Sequence, residues 1–415
     1  MLEIAIHDAV SADTGERVSV GIHAGRIVEV GVSPKGQSAS RVIDGHGWLI
    51  SPCFVEPHYH LDKCFMTSGA DPEASFESQV AAVGASKRLY TVETVADRAE
   101  LAGRLMASRG IGAIRSFVDI DPYCNLVGFE GLKAAKSRLT PLVDVQIVAF
   151  PQHGLLNDEQ TLPMIRAALK GGATVIGGHP QLEANGDASR RQIELVFELA
   201  KEYDVGVDFH VDENDRPDSL WLEAVVRATL RHNWHGRVAV SHAASLPKQP
   251  ASYREELYRL MREARITMVS SPTSGLLFRG LKDVDPPRGI TTVREMLAAG
   301  IPVACAQEAY QSVFAPNLRY PDPVLNAQVM AYSAKLSTDQ GLKALWHMIT
   351  DSAASAIGLS DYGLAAGNSA NLLLVRAKDV AEVFTTGGLD RIAIHNGVVT
   401  AETRFTEMIH LPVAA

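Results

Sequence analysis

Eight short apolar runs rich in β-formers, parted by stretches with helical spacing, constrain this chain more than anything else in its sequence. They lie near 48–57 and at Gly112–Val118, Val143–Phe150, Thr174–Gly178, Val205–Phe209, Val238–Ser241, Ile266–Ser271 and Pro302–Ala306. Between them, segments such as Arg190–Tyr203, Ser219–His232 and Tyr253–Arg265 repeat apolar residues at the spacing of amphipathic helices. Strands alternating with helices call for parallel pairing through right-handed crossovers, and eight such strands close into a barrel. The two chain ends read differently. Val18–Ile22 and Arg26–Val30 flank a turn, and Leu372–Val375 and Arg391–Ile394 precede an Asn396-Gly397 hairpin signal leading into Val398-Val399. The expected architecture is an α/β fold: a TIM-like (β/α)8 barrel over 51–360, with a small β-sandwich built from 1–50 and 361–415.

A barrel of this kind carries its functional residues at the C-terminal ends of the strands, where the loops form a mouth. His58 and His60 follow strand one, and alternate residues on a strand share a face, so both imidazoles can point at one ion. Gln152 follows strand three, His179 strand four, His210 and Glu213 strand five, His242 strand six and Glu308 strand eight. Imidazoles and carboxylates brought to one mouth point to a metal hydrolase. Taken singly, each residue has a plainer reading. Gln152 can cap its loop, Glu213 can satisfy backbone amides, and His179 can plug the mouth instead of lining a pocket. Asp62 and Lys63 read as a structural or supporting pair, with Asp62 placed to hold a ligand histidine by its other ring nitrogen.

Composition narrows the partners. A formal charge of −9 with no Lys/Arg-rich block argues against nucleic acid or an anionic membrane and for a small-molecule substrate. No run of about 18 apolar residues and no basic-then-apolar leader occurs, so a cytoplasmic location is expected. A homo-oligomer is compatible with these features and not required by them. Cys53, Cys64, Cys124 and Cys305 form no C-x-x-C pair, which suggests reduced core thiols. The same absence sets aside the deaminases that use H-x-E with P-C-x-x-C.

With these residues in place, the chain resembles the amidohydrolase superfamily, in the branch of bacterial cytosine deaminase and N-isopropylammelide amidohydrolase. The resemblance covers nearly the whole length. It rests on Phe54-Val55-Glu56-Pro57-His58-Tyr59-His60-Leu61-Asp62-Lys63, on Val148-Ala149-Phe150-Pro151-Gln152, on His210-Val211-Asp212-Glu213, on Ser241-His242 and on the segment Asp361–Leu372. It implies that His58, His60 and His210 bind metal, that Glu213 moves protons, that His242 orients or polarises water, and that Gln152 meets substrate. Two-metal relatives carry a bridging lysine after strand four; Gly177-Gly178-His179-Pro180 has none, so one divalent ion is expected, zinc or iron, with manganese also suited to these ligands. Where the family places an aspartate after strand eight, this chain has Glu308, followed by Ala309. Glu308 is therefore the expected fourth ligand and a participant in activating water, while Ala309 removes a polar contact that cytosine would use.

Such a site generates hydroxide on the metal near neutral pH. The expected reaction is hydrolysis of a C–N bond, foremost deamination of a small nitrogen heterocycle related to cytosine. The alternatives are cleavage of an N-alkyl amine or cyclic amide by the same site, and a barrel that has lost catalysis and only binds. The segment from Ala315 to Pro323 is expected to cover the mouth.

Overall fold

The computed structural model describes all residues except 33–37, 68–70, 72–75, 280–287, 314–319 and 410–415. The expected mouth-covering segment therefore lies outside the described residues up to 319. The chain divides into two compact units: Phe54–Ala107 with Ile111–Tyr362, and Met1–Cys53 with Ser108–Gly110 and Gly363–Ala415.

The larger unit is the barrel. Its strands are β1 (Phe54–Tyr59), β2 (Ile111–Asp119), β3 (Asp144–Phe150), β4 (Val175–Gly178), β5 (Gly206–Val211), β6 (Val238–His242), β7 (Thr267–Ser270) and β8 (Val303–Cys305). Neighbours pair in parallel in sequence order, and a parallel bridge between Tyr59 and Glu308 joins the last strand's exit to the first. Strands buried on both faces need near-continuous apolar sequence, and β2 is buried at every position. Arg115, Ser116 and Asp119 are the polar exceptions in its sequence, and the Arg115 guanidinium is matched by Asp208 on β5 at 2.9 Å. Phe117, Val148, Phe150 and Val175 fill part of the interior.

The helices obey local rules. Gly186–Tyr203 starts where the Asn185 side chain accepts from the amides of Asp187 and Ala188, and it stops at Asp204, whose φ of 53° breaks the helical path. Its buried face includes Ile193, Val196, Phe197 and Ala200, the i, i+3, i+4, i+7 pattern of an amphipathic helix. At the end of β4, glycine is obligatory: a Cβ on Gly178 would lie 2.1 Å from Cε1 of Phe209. Among the described residues no helix is long and apolar enough to cross a membrane.

The smaller unit is one hydrogen-bonded sheet of eight strands from both chain ends. Its long strand Leu2–Ser11 pairs in parallel with Ala39–Asp44 along its first half and with Leu49–Pro52 at Val10 and Ser11. Alternate residues such as Ile4, Ile6, Val20, Ile22, Leu372, Leu374, Ile392 and Ile394 meet in one core with Trp48. The run near 48–57, expected to be a single strand, is two: Leu49–Pro52 pairs with Leu372–Val375 in this sheet, and β1 begins at Phe54 in the barrel. An unbroken apolar run hides such a change of sheet, because residues on either side are equally buried.

Candidate active site

Every residue singled out in the sequence lies at the C-terminal ends of the barrel strands. His58 sits in β1 and His60 just beyond it; Gln152 is two residues past β3; His179 follows β4; His210 lies in β5 and Glu213 just past it; His242 ends β6; Glu308 follows β8. All eight are buried. The backbone fixes the seam between first and last strands: Glu308 N donates to His58 O at 3.2 Å, and His60 N donates to Glu308 O at 2.6 Å. His242 and Glu308 both hold φ at 76°, left-handed for residues with a Cβ. Such strain costs about 1–3 kcal/mol and gathers where function needs a side chain aimed.

One ligand atom each from His58, His210 and His242 lies within 4.8 Å of the others, and the same holds for Glu213, His242 and Glu308. His60 joins through His210, their Nε2 atoms being 3.4 Å apart. Two nitrogens at about 2.1 Å from one tetrahedral ion sit about 3.4 Å from each other. The structure thus brings His242 within ligand range alongside the three histidines expected from the sequence. Phe117 lies 4.3 Å from the His58 ring, and Phe150 stacks on His210 at 4.3 Å, so aromatic faces close the inner side of the cluster.

Electrostatics suit a metal. Burial, reinforced by the Lys63 charge, holds His58 and His60 well below the ordinary histidine value; burial does the same to His210 and His242. Burial pushes His179 down to about 3. Neutral imidazoles are the ligating form. Among the described residues, Nε2 of His58, Nδ1 of His210 and Nε2 of His242 are buried with no hydrogen-bond partner. Buried polar atoms of this kind are costly unless something pairs with them, and a divalent cation suits Nε2 of His58 together with the facing Nε2 atoms of His60 and His210.

Supporting contacts orient this cluster. Nδ1 of His58 lies 2.8 Å from Oγ of Ser241, which in turn reaches Oδ1 of Asp208 at 3.5 Å, while Arg115 donates to Oδ2 of Asp208 at 2.9 Å. The chain fits a His58 that donates from Nδ1 and turns Nε2 into the site. Asp62 does not hold a ligand histidine: its Oδ2 accepts from the amide of Asp119 at 3.3 Å. Lys63 Nζ lies 3.2 Å from Nδ1 of His60, donates to Oε1 of Gln152 at 2.7 Å, and pairs with Asp119 at 2.8 Å. Lys87 pairs with the other Asp119 oxygen at 2.8 Å and with Asp121. Burial alone would raise Asp119, but Lys63 and Lys87 outweigh it and hold the carboxyl at about 2.

Gln152 meets the cluster through its neighbours, its Nε2 lying 3.4 Å from Nδ1 of His179. Glu213 stands centrally, with Oε2 at 3.7 Å from His179 Nε2 and 3.8 Å from His242 Nε2. Glu308 Oε1 is 3.4 Å from His242 Nδ1. Sequence reasoning missed Arg279, which follows the helix Pro272–Phe278 after β7 and places Nη2 3.7 Å from Glu213 Oε1. No local pattern around Phe278-Arg279 marks it. Lys63, read from the sequence as one of a structural or supporting pair, lies against His60 and Gln152.

Comparison with known proteins agrees with this arrangement. A sequence model of the amidohydrolase family matches residues 73–386. The chain is 27% identical over 383 residues to N-isopropylammelide isopropyl amidohydrolase of Pseudomonas sp. strain ADP, covering 90% of this chain and 91% of that one. It is 26% identical over 381 residues to pterin deaminase of Rhizobium rhizogenes, covering 90% and 84%. The solved 5-methylcytosine deaminase of Klebsiella pneumoniae, liganded with 5-fluorocytosine, superimposes with a TM-score of 0.92 at 29% identity over 98% of this chain and 99% of that one.

Proposed function

The chain belongs to the amidohydrolase family and is a hydrolase of C–N bonds, and from that premise we propose that it deaminates a small nitrogen heterocycle related to cytosine at a single divalent metal site. His58, His60, His210 and Glu308 would hold the ion, with zinc or iron matching that donor set and manganese also suited. When bound, the ion would supply a Lewis acid and would lower the pKa of a water in the site from about 15.7 toward about 7.

The protein's residues do the rest. Glu213, central among His179, His242 and Arg279, takes the proton of the attacking water and returns it to the exocyclic nitrogen. His242, neutral and held between Glu308 and Glu213, donates to the oxygen on which charge develops. Gln152, fixed by Lys63, and His179 line the ring's position. The balance is a ring N=C–NH2 unit and water giving a ring HN–C=O unit and ammonia, one water proton passing through Glu213 to the exocyclic nitrogen and the other ending on the ring nitrogen. Aromatic faces of Phe117 and Phe150 keep the inner side dry, which strengthens each of these interactions.

The observation carrying this reading is the meeting of His58, His210 and His242 within ligand range of one another, with Glu213 and Glu308 beside His242. Two of the similar proteins are named as deaminases of amino-substituted rings, which supports a ring amine as the group lost. A second reading, loss of an N-alkyl amine, is favoured by the similarity to the isopropyl amidohydrolase and by Ala309, a buried small residue beside Glu308. Aminopyrimidines, aminotriazines, pterins and N-alkylated triazines, assayed for ammonia and alkylamine, separate the two. Ammonia release supports deamination; alkylamine as the sole product overturns it.

A further inference from the structure

We propose that Arg279 recognises an oxyanion on the substrate, so that the heterocycle turned over at this site carries a ring carboxylate. The inference rests on the reading of the site as a ring deaminase and adds the substrate's charge.

Arg279 is a buried cation with spare capacity. Its side chain is 5% exposed, and among the described residues its Nε has no hydrogen-bond partner. Its ion-pair contact is Glu213 Oε1 at 3.7 Å, beyond hydrogen-bond distance. A guanidinium presents five donors in a planar fork, and burying one is unfavourable unless its charge and its donors are met. The second cation at the site differs. Lys63 is already satisfied, by Asp119 at 2.8 Å and Gln152 at 2.7 Å. Among the described residues at the site, Arg279 is thus the positive group left for a ligand.

The reaction sharpens this demand. When Glu213 accepts a proton, Arg279 loses the negative charge facing it, and a neutral substrate would leave a buried cation unmatched at that moment. A carboxylate on the ring keeps the charge paired throughout, and the fork matches its two oxygens in a bidentate contact. A neutral carbonyl would supply an acceptor but no charge.

Two measurements test this on the full-length, metal-loaded chain. In the first, kcat/KM is compared for cytosine, cytosine-5-carboxylate and cytosine-6-carboxylate, in the wild type, Arg279→Gln and Arg279→Lys. At least one carboxylate should exceed cytosine by about tenfold or more in the wild type, through KM. That ratio should collapse to about one in Arg279→Gln and recover partly in Arg279→Lys. In the second, calorimetry compares binding of uracil, uracil-5-carboxylate and uracil-6-carboxylate, which needs no turnover; a carboxylate should bind tighter, and the gain should vanish in Arg279→Gln. The proposal is overturned if neither carboxylate gains over its parent ring, if the gain survives Arg279→Gln, or if that variant lowers all rings alike, which would make Arg279 a partner of Glu213 only. Should carboxylate binding depend on Arg279 while no ring releases ammonia, the deaminase reading fails and the oxyanion site stands. Should cytosine be deaminated with no gain from a carboxylate, the reverse holds.

Discussion

Ser241 offers the sharpest test of how the metal cluster is held. Its hydroxyl lies 2.8 Å from Nδ1 of His58 and is fully buried, so no solvent can replace it. In Ser241→Ala the Cβ stays, and the surrounding packing is kept. What disappears is the acceptor that fixes the His58 ring and its protonation, together with the link to Asp208 and Arg115. Loss of such an outer partner lowers metal affinity by about 10–100-fold, equivalent to roughly 1.4–2.7 kcal/mol. The stranded Nδ1 adds about 1–3 kcal/mol of lost stability. Titrating metal-stripped protein against a competing chelator measures the first effect, and urea unfolding without metal measures the second. Affinity unchanged within about twofold would refute the argument that this hydrogen bond presents Nε2 to the ion.

Other consequences follow from the same contacts. Asp119→Asn leaves Lys63 and Lys87 buried without their shared carboxylate, and should cost about 3–5 kcal/mol in urea unfolding. Because Asp119 sits at about 2 in the folded chain against an ordinary 3.8, its contribution is complete above about pH 4 and is lost as pH falls toward 2. A stability profile of the wild type should show this acid limb, worth roughly 2 kcal/mol, and Asp119→Asn should lack it; an identical limb in both would contradict the ion network. Glu308→Ala should weaken metal retention and lower kcat by about 10²-fold or more, read by metal analysis and steady-state rates; full retention of both would remove Glu308 from the ligand set. Gly178→Ala forces a Cβ to within 2.1 Å of Phe209 and should destabilise the barrel by about 1–3 kcal/mol, visible as a lower urea midpoint; an unchanged midpoint would mean the strand end yields easily.

Much of this molecule could be read from its sequence because barrel strands announce themselves. Stretches such as Ile147–Phe150 are apolar and buried on both faces, and the polar residue that follows each run marks the mouth. His58, His60, His210 and His242 were legible for that reason, and the Asn396-Gly397 turn because it needs positive φ at both positions, which the structure shows as 48° and 76°. What failed was pairing across space. Asp62 and Lys63 are neighbours in sequence, but the η-turn Leu61–Lys63 sends the carboxylate toward β2 and the ammonium toward His60. The run near 48–57 concealed a change of sheet at Cys53, since every residue of it but Pro52 is buried. Arg279 was invisible because its place depends on a short helix after β7, and a lone arginine carries no periodic signal.

Elemental analysis of the purified chain tests the central claim most directly. Imidazoles from β1 and β5 and the carboxylate after β8 should retain about one equivalent of zinc, iron or manganese per chain through dialysis, and His58→Ala/His210→Ala should retain close to none while staying folded. A folded wild type that neither carries nor takes up a divalent metal, or a double variant with undiminished metal, would contradict the account.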